Sequence, residues 1–154
     1  MQTQLPPEIR TVWRMRALID GAIWLVLAAG LGVAHQLWQT PLWLIIIPLV
    51  GAVLHTGTHL VLIPYRYAFW RYQITDSAVY LRSGYLFRED EAIPINRIQN
   101  VTLTAGPLLQ WQKLQAVAIQ TASTTHTIAG VTLEVAAALR EQIMQLALEA
   151  RDDS

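Results

Sequence analysis

Apolar residues run almost without interruption from Ala17 to Ile63, and after Pro64 they begin to alternate with polar ones. Within the first region, Gly21 to Tyr65 is a 45-residue stretch with no Asp, Glu, Lys or Arg. A helix needs about 20 mostly apolar residues to cross a hydrocarbon core of about 30 Å. The stretch therefore predicts two transmembrane helices, about 17–38 and 42–63, joined by the polar turn Gln39-Thr40-Pro41. Pro41 suits the first turn of the second helix, where a missing N–H has no intrahelical partner to lose. Trp38 and Trp43 flank the turn, and Trp13 and Trp70 flank the opposite ends. Amphipathic rings settle at those levels of a bilayer. Residues 1–16 then form a separate segment ahead of the helical hairpin.

Beyond Pro64 the period changes to two. Tyr67 to Thr75 is aromatic and β-branched, and Thr75-Asp76-Ser77 makes a tight turn. Ala78 to Leu86 alternates and reaches Gly84, which predicts a bulge or bend. Arg88-Glu89-Asp90-Glu91 reads as a solvated charged turn before a short strand at 92–95. Further strands are expected at 98–104, 116–121 and 125–128, with Gly106-Pro107 and Ser123-Thr124 as breaks. From Leu133 to Ala150 the apolar positions recur at helical spacing, with Thr132 as N-cap and Glu134 in the first turn. Residues 64–154 thus predict a small antiparallel β domain closed by an amphipathic helix at about 133–150. The whole is α+β.

Composition sharpens the division. Hydrophobic residues make up 53% of the chain and charged ones 14%, against about 25% charged in a soluble domain. Only five charges lie in residues 1–65, whereas 17 lie in 66–154. One water-soluble globule is excluded, and so is disorder, which needs low hydrophobicity and high net charge. Eleven basic and eleven acidic residues cancel, so no overall field gathers nucleic acid. With no cysteine, disulfides and thiol catalysis drop out. Arg10, Arg14 and Arg16 precede the first span, Arg66 and Arg71 follow the second, and the turn holds no basic residue. The positive-inside rule then places both termini in the cytoplasm. A cleaved signal peptide is the rival reading, but no small-x-small site stands out near His35 and a second span follows at once.

Few polar groups interrupt the spans. With the turn centred near residue 40, residues whose numbers sum to about 81 share a level, which makes His59 the nearest polar neighbour of Asp20. The two are a candidate intramembrane pair, because an ionisable group in lipid needs a partner or water. Interfacial hydration of Asp20, or pairing with Arg16, is the alternative. His55 and His59 have the i, i+4 spacing of metal ligands, yet no carboxylate or cysteine nearby completes a site. Polar helix packing is the expectation there, with Ala28, Gly30, Gly32 and Gly51 allowing close approach.

The run Ile93-Pro94-Ile95-Asn96-Arg97-Ile98-Gln99-Asn100-Val101, then Gly106-Pro107-Leu108 and Val117-Ala118-Ile119-Gln120-Thr121-Ala122, resembles the bacterial PH-like membrane proteins of the YdbS type. The resemblance covers nearly the whole chain and is most specific at Ile-Pro-x-x-Arg-Ile-Gln-x-Val. It implies two N-terminal transmembrane helices followed by a pleckstrin-homology-like β-roll capped by a C-terminal α-helix, in a bacterial cytoplasmic (inner) membrane. The chain departs from the family at Gln110 and Lys113, where an Arg and a Gly are usual.

Residues 66–154 hold one histidine (His126), one lysine (Lys113) and few serines, with no nucleophile elbow and no phosphate loop. No catalytic residue, cofactor, metal or small-molecule substrate is inferred. Phosphoinositide recognition would need clustered basic loops, but this half carries eight basic and nine acidic residues. Pro94, Asn96, Arg97, Gln99, Asn100 and Trp111 form the candidate contact surface, with a turn-stabilising network as the competing role for Arg97. The favoured function is a non-enzymatic, membrane-anchored interaction or scaffold protein. Its partners would be the lipid bilayer and either further copies of itself or another PH-like membrane protein. The alternative is a lipid-sensing or envelope-stress module reading the cytoplasmic leaflet.

Overall fold

The computed structural model describes residues 2–84 and 87–152. The chain divides into two units, Trp13–Pro64 on one side and Met1–Val12 with Tyr65–Ser154 on the other. Helix α1 runs Glu8–Trp38 and helix α2 Trp43–Phe69. At 1.5 Å per residue they are about 46 and 40 Å long, more than a hydrocarbon core requires. Only 17% and 11% of the residues in their most apolar stretches are buried, so neither is a core helix of a soluble protein.

Both helices exceed the expected spans. Pro64 does not end α2, which continues to Phe69 with Pro48 and Pro64 inside it. A proline in a helix forfeits one hydrogen bond, and in membrane helices that loss is commonly tolerated. Between the helices, Gln39 adopts φ 50° and its N–H bonds the His35 carbonyl at 2.8 Å. This is the left-handed ending that closes many helices. The His35 imidazole Nδ1 also contacts the Thr40 carbonyl.

Residues 1–16 do not form a separate segment, which corrects the boundary expected from sequence. Strand β1, Thr3–Gln4, pairs antiparallel with β2, Arg71–Ile74. α1 starts directly after Pro6-Pro7 with Leu5 and Ile9 at 2% and 1% exposure. The Ile9 side chain lies against Gly130, where an added Cβ would come within 2.7 Å of it. The Tyr67 hydroxyl donates to the Leu5 carbonyl at 2.9 Å, and Arg10 lies 5.0 Å from the Tyr67 ring centre. Sequence missed this because Leu5 and Ile9 stand among charges and prolines, without the length that marks an element.

Strands β3 (Ala78–Gly84) and β4 (Arg88–Pro94) complete a four-stranded sheet in the order β1-β2-β3-β4. Arg88–Glu91 is therefore strand and not turn. An edge strand exposes alternate side chains, and charges there discourage pairing with other chains. Gly84, at φ 101°, ends β3 and pairs opposite Arg88. A short 3-10 turn, Ile95–Arg97, carries the chain to a second sheet of β5 (Ile98–Thr104), β6 (Leu114–Thr121) and β7 (Thr125–Thr132). Helix α3, Pro107–Trp111, occupies part of a region expected to be loop, with Pro107 in its first turn. Helix α4, Leu133–Asp152, buries Ala136, Leu139, Ile143 and Ala147. Its first turn is capped by Thr132, whose hydroxyl accepts from the Val135 N–H at 3.4 Å.

Candidate functional site

The signature run divides by burial. Ile93, Ile95, Ile98 and Val101 are at most 2% exposed, and each such side chain contributes about 1.5–3 kcal/mol by leaving water. They pin the corner where one sheet hands over to the other. The polar members Pro94, Asn96, Arg97, Gln99 and Asn100 are all exposed. Apolar and polar halves of the motif thus do different work.

Pro94, Asn96, Arg97 and Gln99 line one open cleft of about 640 Å³. It is also lined by Thr121, Ser123, Thr124 and His126 around the β6–β7 turn and by Arg151 of α4. The Arg151 Nη2 donates to the Ile98 carbonyl at 2.9 Å, tying the helix end to the start of β5. The lining holds Arg97, Arg151 and His126 but no carboxylate. Arg97 itself makes no hydrogen bond or ion pair with any described residue. The turn-stabilising network is therefore not what its guanidinium does.

Two expected surface residues lie elsewhere. Asn100 turns back on its own strand, its Oδ1 accepting from the Val101 N–H at 2.9 Å. Trp111 is 62% exposed on α3, so it does not fill the core.

Sequence reasoning missed a chain of polar contacts at the cleft. His126 Nδ1 lies 2.8 Å from Glu91 Oε2 on β4, and its Nε2 lies 2.9 Å from Thr124 Oγ1. The Thr124 hydroxyl is also 2.9 Å from Thr121 Oγ1. A carboxylate, an imidazole and a hydroxyl in line resemble a nucleophile relay. Here the hydroxyl is engaged by the turn it braces, and the chain joins an edge of one sheet to the other. The signal was the strand alternation itself: once Arg88–Pro94 is a strand, Asp90 and Glu91 must face opposite ways.

Asp90 meets a different partner. Arg82 Nε and Nη2 approach its two carboxylate oxygens at 2.6 and 3.3 Å. That hydrogen bonding, reinforced by the opposite charge, holds the Asp90 carboxyl below the usual range and raises Arg82. Burial raises the Tyr72 phenol.

Within the helical hairpin, Gly21 meets Thr56 and Gly51 meets the Trp24 ring. Residues summing to 75–77 thus share a level, about one helical turn from the register that a symmetric turn predicts. Asp20 and His59 form no hydrogen bond or ion pair. The reason is this stagger: Asp20 lies at the level of Thr56, while His59 is exposed and its ring faces that of His55 at 4.5 Å. Ala28 is buried and Gly51 packs closely, whereas Gly30 and Gly32 have open space beside them.

Comparison with known proteins agrees with this architecture. The family model described as bacterial PH domain matches residues 22–147. The chain is 31% identical over 155 residues to the UPF0699 transmembrane protein YdbS of Bacillus subtilis (strain 168), covering 99% of this chain and 96% of that protein. No solved structure matches. Two exposed apolar helices, a corner motif between two small sheets and a closing helix are the features these matches span, and the chain belongs to the bacterial PH domain family of membrane proteins.

Proposed function

We propose that this protein is a membrane-anchored interaction module whose PH-like domain docks a second membrane subunit, another copy or a related PH-like protein, at the Arg97 cleft. One observation carries the reading: an exposed guanidinium with no hydrogen-bond or ion-pair partner among the described residues stands in a polar cleft whose described lining holds no carboxylate. A fold gains nothing from an arginine left unpaired on a rigid corner, whereas a partner's carboxylate would meet it in a bidentate geometry. Interfaces favour arginine for the same reason. Both helices cross the bacterial inner membrane with the termini cytoplasmic, a reading supported by the arginines at both hairpin ends and their absence from the turn. The role is non-enzymatic, since the Glu91–His126–Thr124 line spends its hydroxyl on the β6–β7 turn.

The test is the mass of the protein extracted in mild detergent. Wild type is expected to exceed one chain, or to carry a second subunit, and Arg97→Ala to shift it toward the monomer. A wild-type monomer without companion, or an assembly indifferent to Arg97→Ala, would sink the proposal.

A further inference from the structure

We infer that one proton taken up at His126 strengthens docking at the Arg97 cleft, so that the β domain holds an acidic partner more tightly as pH falls. The switch presupposes the docking proposed for Arg97 and adds what regulates it. Thr121, Thr124 and His126 line the same cleft as Arg97. Histidine is the side chain whose charge ordinarily changes between about pH 5 and 8.

The hydrogens available along the Glu91–His126–Thr124–Thr121 line show why a proton matters. His126 Nδ1 lies 2.8 Å from Glu91 Oε2, and its Nε2 lies 2.9 Å from Thr124 Oγ1. Thr124 Oγ1 lies 2.9 Å from Thr121 Oγ1, and the Thr121 hydroxyl donates to the Thr124 carbonyl at 3.0 Å. Each contact needs one hydrogen. A neutral imidazole carries one N–H and each hydroxyl one O–H, which leaves three hydrogens for these four contacts. An ionised carboxylate only accepts, so the Nδ1 hydrogen goes to Glu91. The Thr121 hydrogen is committed to the carbonyl. The Thr124 hydrogen then serves either Nε2 or Thr121 Oγ1, and the other contact goes without. An imidazolium supplies the missing hydrogen: Nε2–H donates to Thr124 Oγ1, and the Thr124 hydroxyl turns to Thr121.

Protonation acts on the cleft in two ways. It completes the line that ties β4 to the β6–β7 turn, where the Thr124 N–H already donates to Thr121 Oγ1 at 3.1 Å. A turn fixed in advance has less freedom to lose when a partner docks. Protonation also adds positive charge to a lining that holds Arg97 and Arg151 and, among the described residues, no carboxylate. An acidic partner gains from that charge. The charged groups around the imidazole are Glu91 from β4, and Arg97 from the 3-10 turn and Arg151 from α4, which share its cleft; the β6 residue opposite it is the apolar Ile119. Both effects run in one direction, and docking tightens when His126 is charged.

The test follows the assembly of the full chain in mild detergent through its mass on serial dilution, at pH 7.5 and at pH 5.5. Wild type is expected to hold together at several-fold lower concentration at the lower pH. Linkage to one proton limits the gain to about a hundredfold over two pH units. His126→Gln is expected to flatten the response. So is Thr121→Val, which removes no titratable group but leaves two hydrogens for the two remaining contacts, Nδ1 with Glu91 and Nε2 with Thr124. Thr121→Ser keeps the hydroxyl and should restore the response. An assembly that depends on Arg97 but is equally tight at both pH values overturns the switch and leaves the docking intact. A pH response that survives His126→Gln or Thr121→Val also overturns it, since His35, His55 and His59 are the other imidazoles of the chain. A monomer at both pH values removes the docking itself, and the switch falls with it.

Discussion

The two units of this molecule are built from the same aliphatic residues and treat them in opposite ways. In the β domain Val79, Val117, Ile119 and Ile128 are wholly buried. In the helical hairpin Val26 and Val53 are more than 70% exposed, as are more than half of the side chains of Leu25, Leu27 and Ile47. In water such a surface would collapse or aggregate. In hydrocarbon it is the ordinary outside of a helix, because lipid is as apolar as the side chains. The difference teaches that burial identifies a core only after the solvent is known. It also explains why the β domain takes residues from the far side of the hairpin: the 89 residues from Arg66 onward give a small core, and Leu5 and Ile9 enlarge it.

The sharpest way to break that contrast is to shorten one buried and one lipid-facing side chain. Ile9→Ala removes a side chain that is 1% exposed and lies against Gly130. It is expected to destabilise the β domain by about 2–5 kcal/mol, although residue 9 precedes both spans. Val53→Ala, at 73% exposure, should leave the same domain unchanged. Amide hydrogen exchange on β6 in detergent measures both, since it reads the opening of that element alone. Equal protection in wild type and Ile9→Ala would return residues 1–16 to the role of a separate segment.

Much of this was legible in the sequence, and the failures share a cause. The absence of charge from Gly21 to Tyr65 marked the helices, and period-two runs placed β3, β5 and β6 near their observed positions. Four residues of the signature run, Pro94, Asn96, Arg97 and Gln99, line one cleft. What escaped was whatever depends on a distant partner. Leu5 has no local periodicity, and its place in the core exists only because β1 pairs with β2. Glu91 looked solvated because His126 is 35 residues away. Asp20 and His59 were matched by assuming a symmetric hairpin, and a stagger of one turn comes from how Thr56 and Trp24 pack on glycines, which no pattern of hydropathy encodes.

A smaller effect distinguishes the turns of the two units. Among the described residues, two non-glycines have positive φ, Gln39 in the helical hairpin and Lys113 in the β domain. The left-handed region costs an L-residue about 1–2 kcal/mol, and Lys113 occupies it at φ 54°. Lys113→Gly relieves that cost and recovers most of it after the entropy a glycine adds to the unfolded chain. The expected gain is about 1 kcal/mol, read as higher β6 protection in the same exchange experiment. A loss of protection would show that the Lys113 side chain, and not its backbone, matters at the start of β6.

The smallest effect concerns charge, which the β domain uses and the hairpin lacks. Asp90, held below the usual carboxylate range by its hydrogen bonds to Arg82, stabilises the folded state only while ionised. The sign follows from linkage: a depressed carboxyl contributes fully above its unfolded value of about 3.9 and loses that contribution as pH falls through its folded value. Both side chains are about half exposed or more, so solvent and salt screen the pair. Asp90→Asn should therefore flatten the acid limb of the domain's stability below about pH 4 and change little at neutrality. The alkaline limb tests that the effect is local. There the buried Tyr72 phenol, raised by burial, keeps its proton in the folded state after the unfolded chain has lost it, so stability falls as pH rises through about 10. Asp90→Asn should leave that fall intact, because Tyr72 lies on the opposite face of the sheet from the Arg82–Asp90 pair.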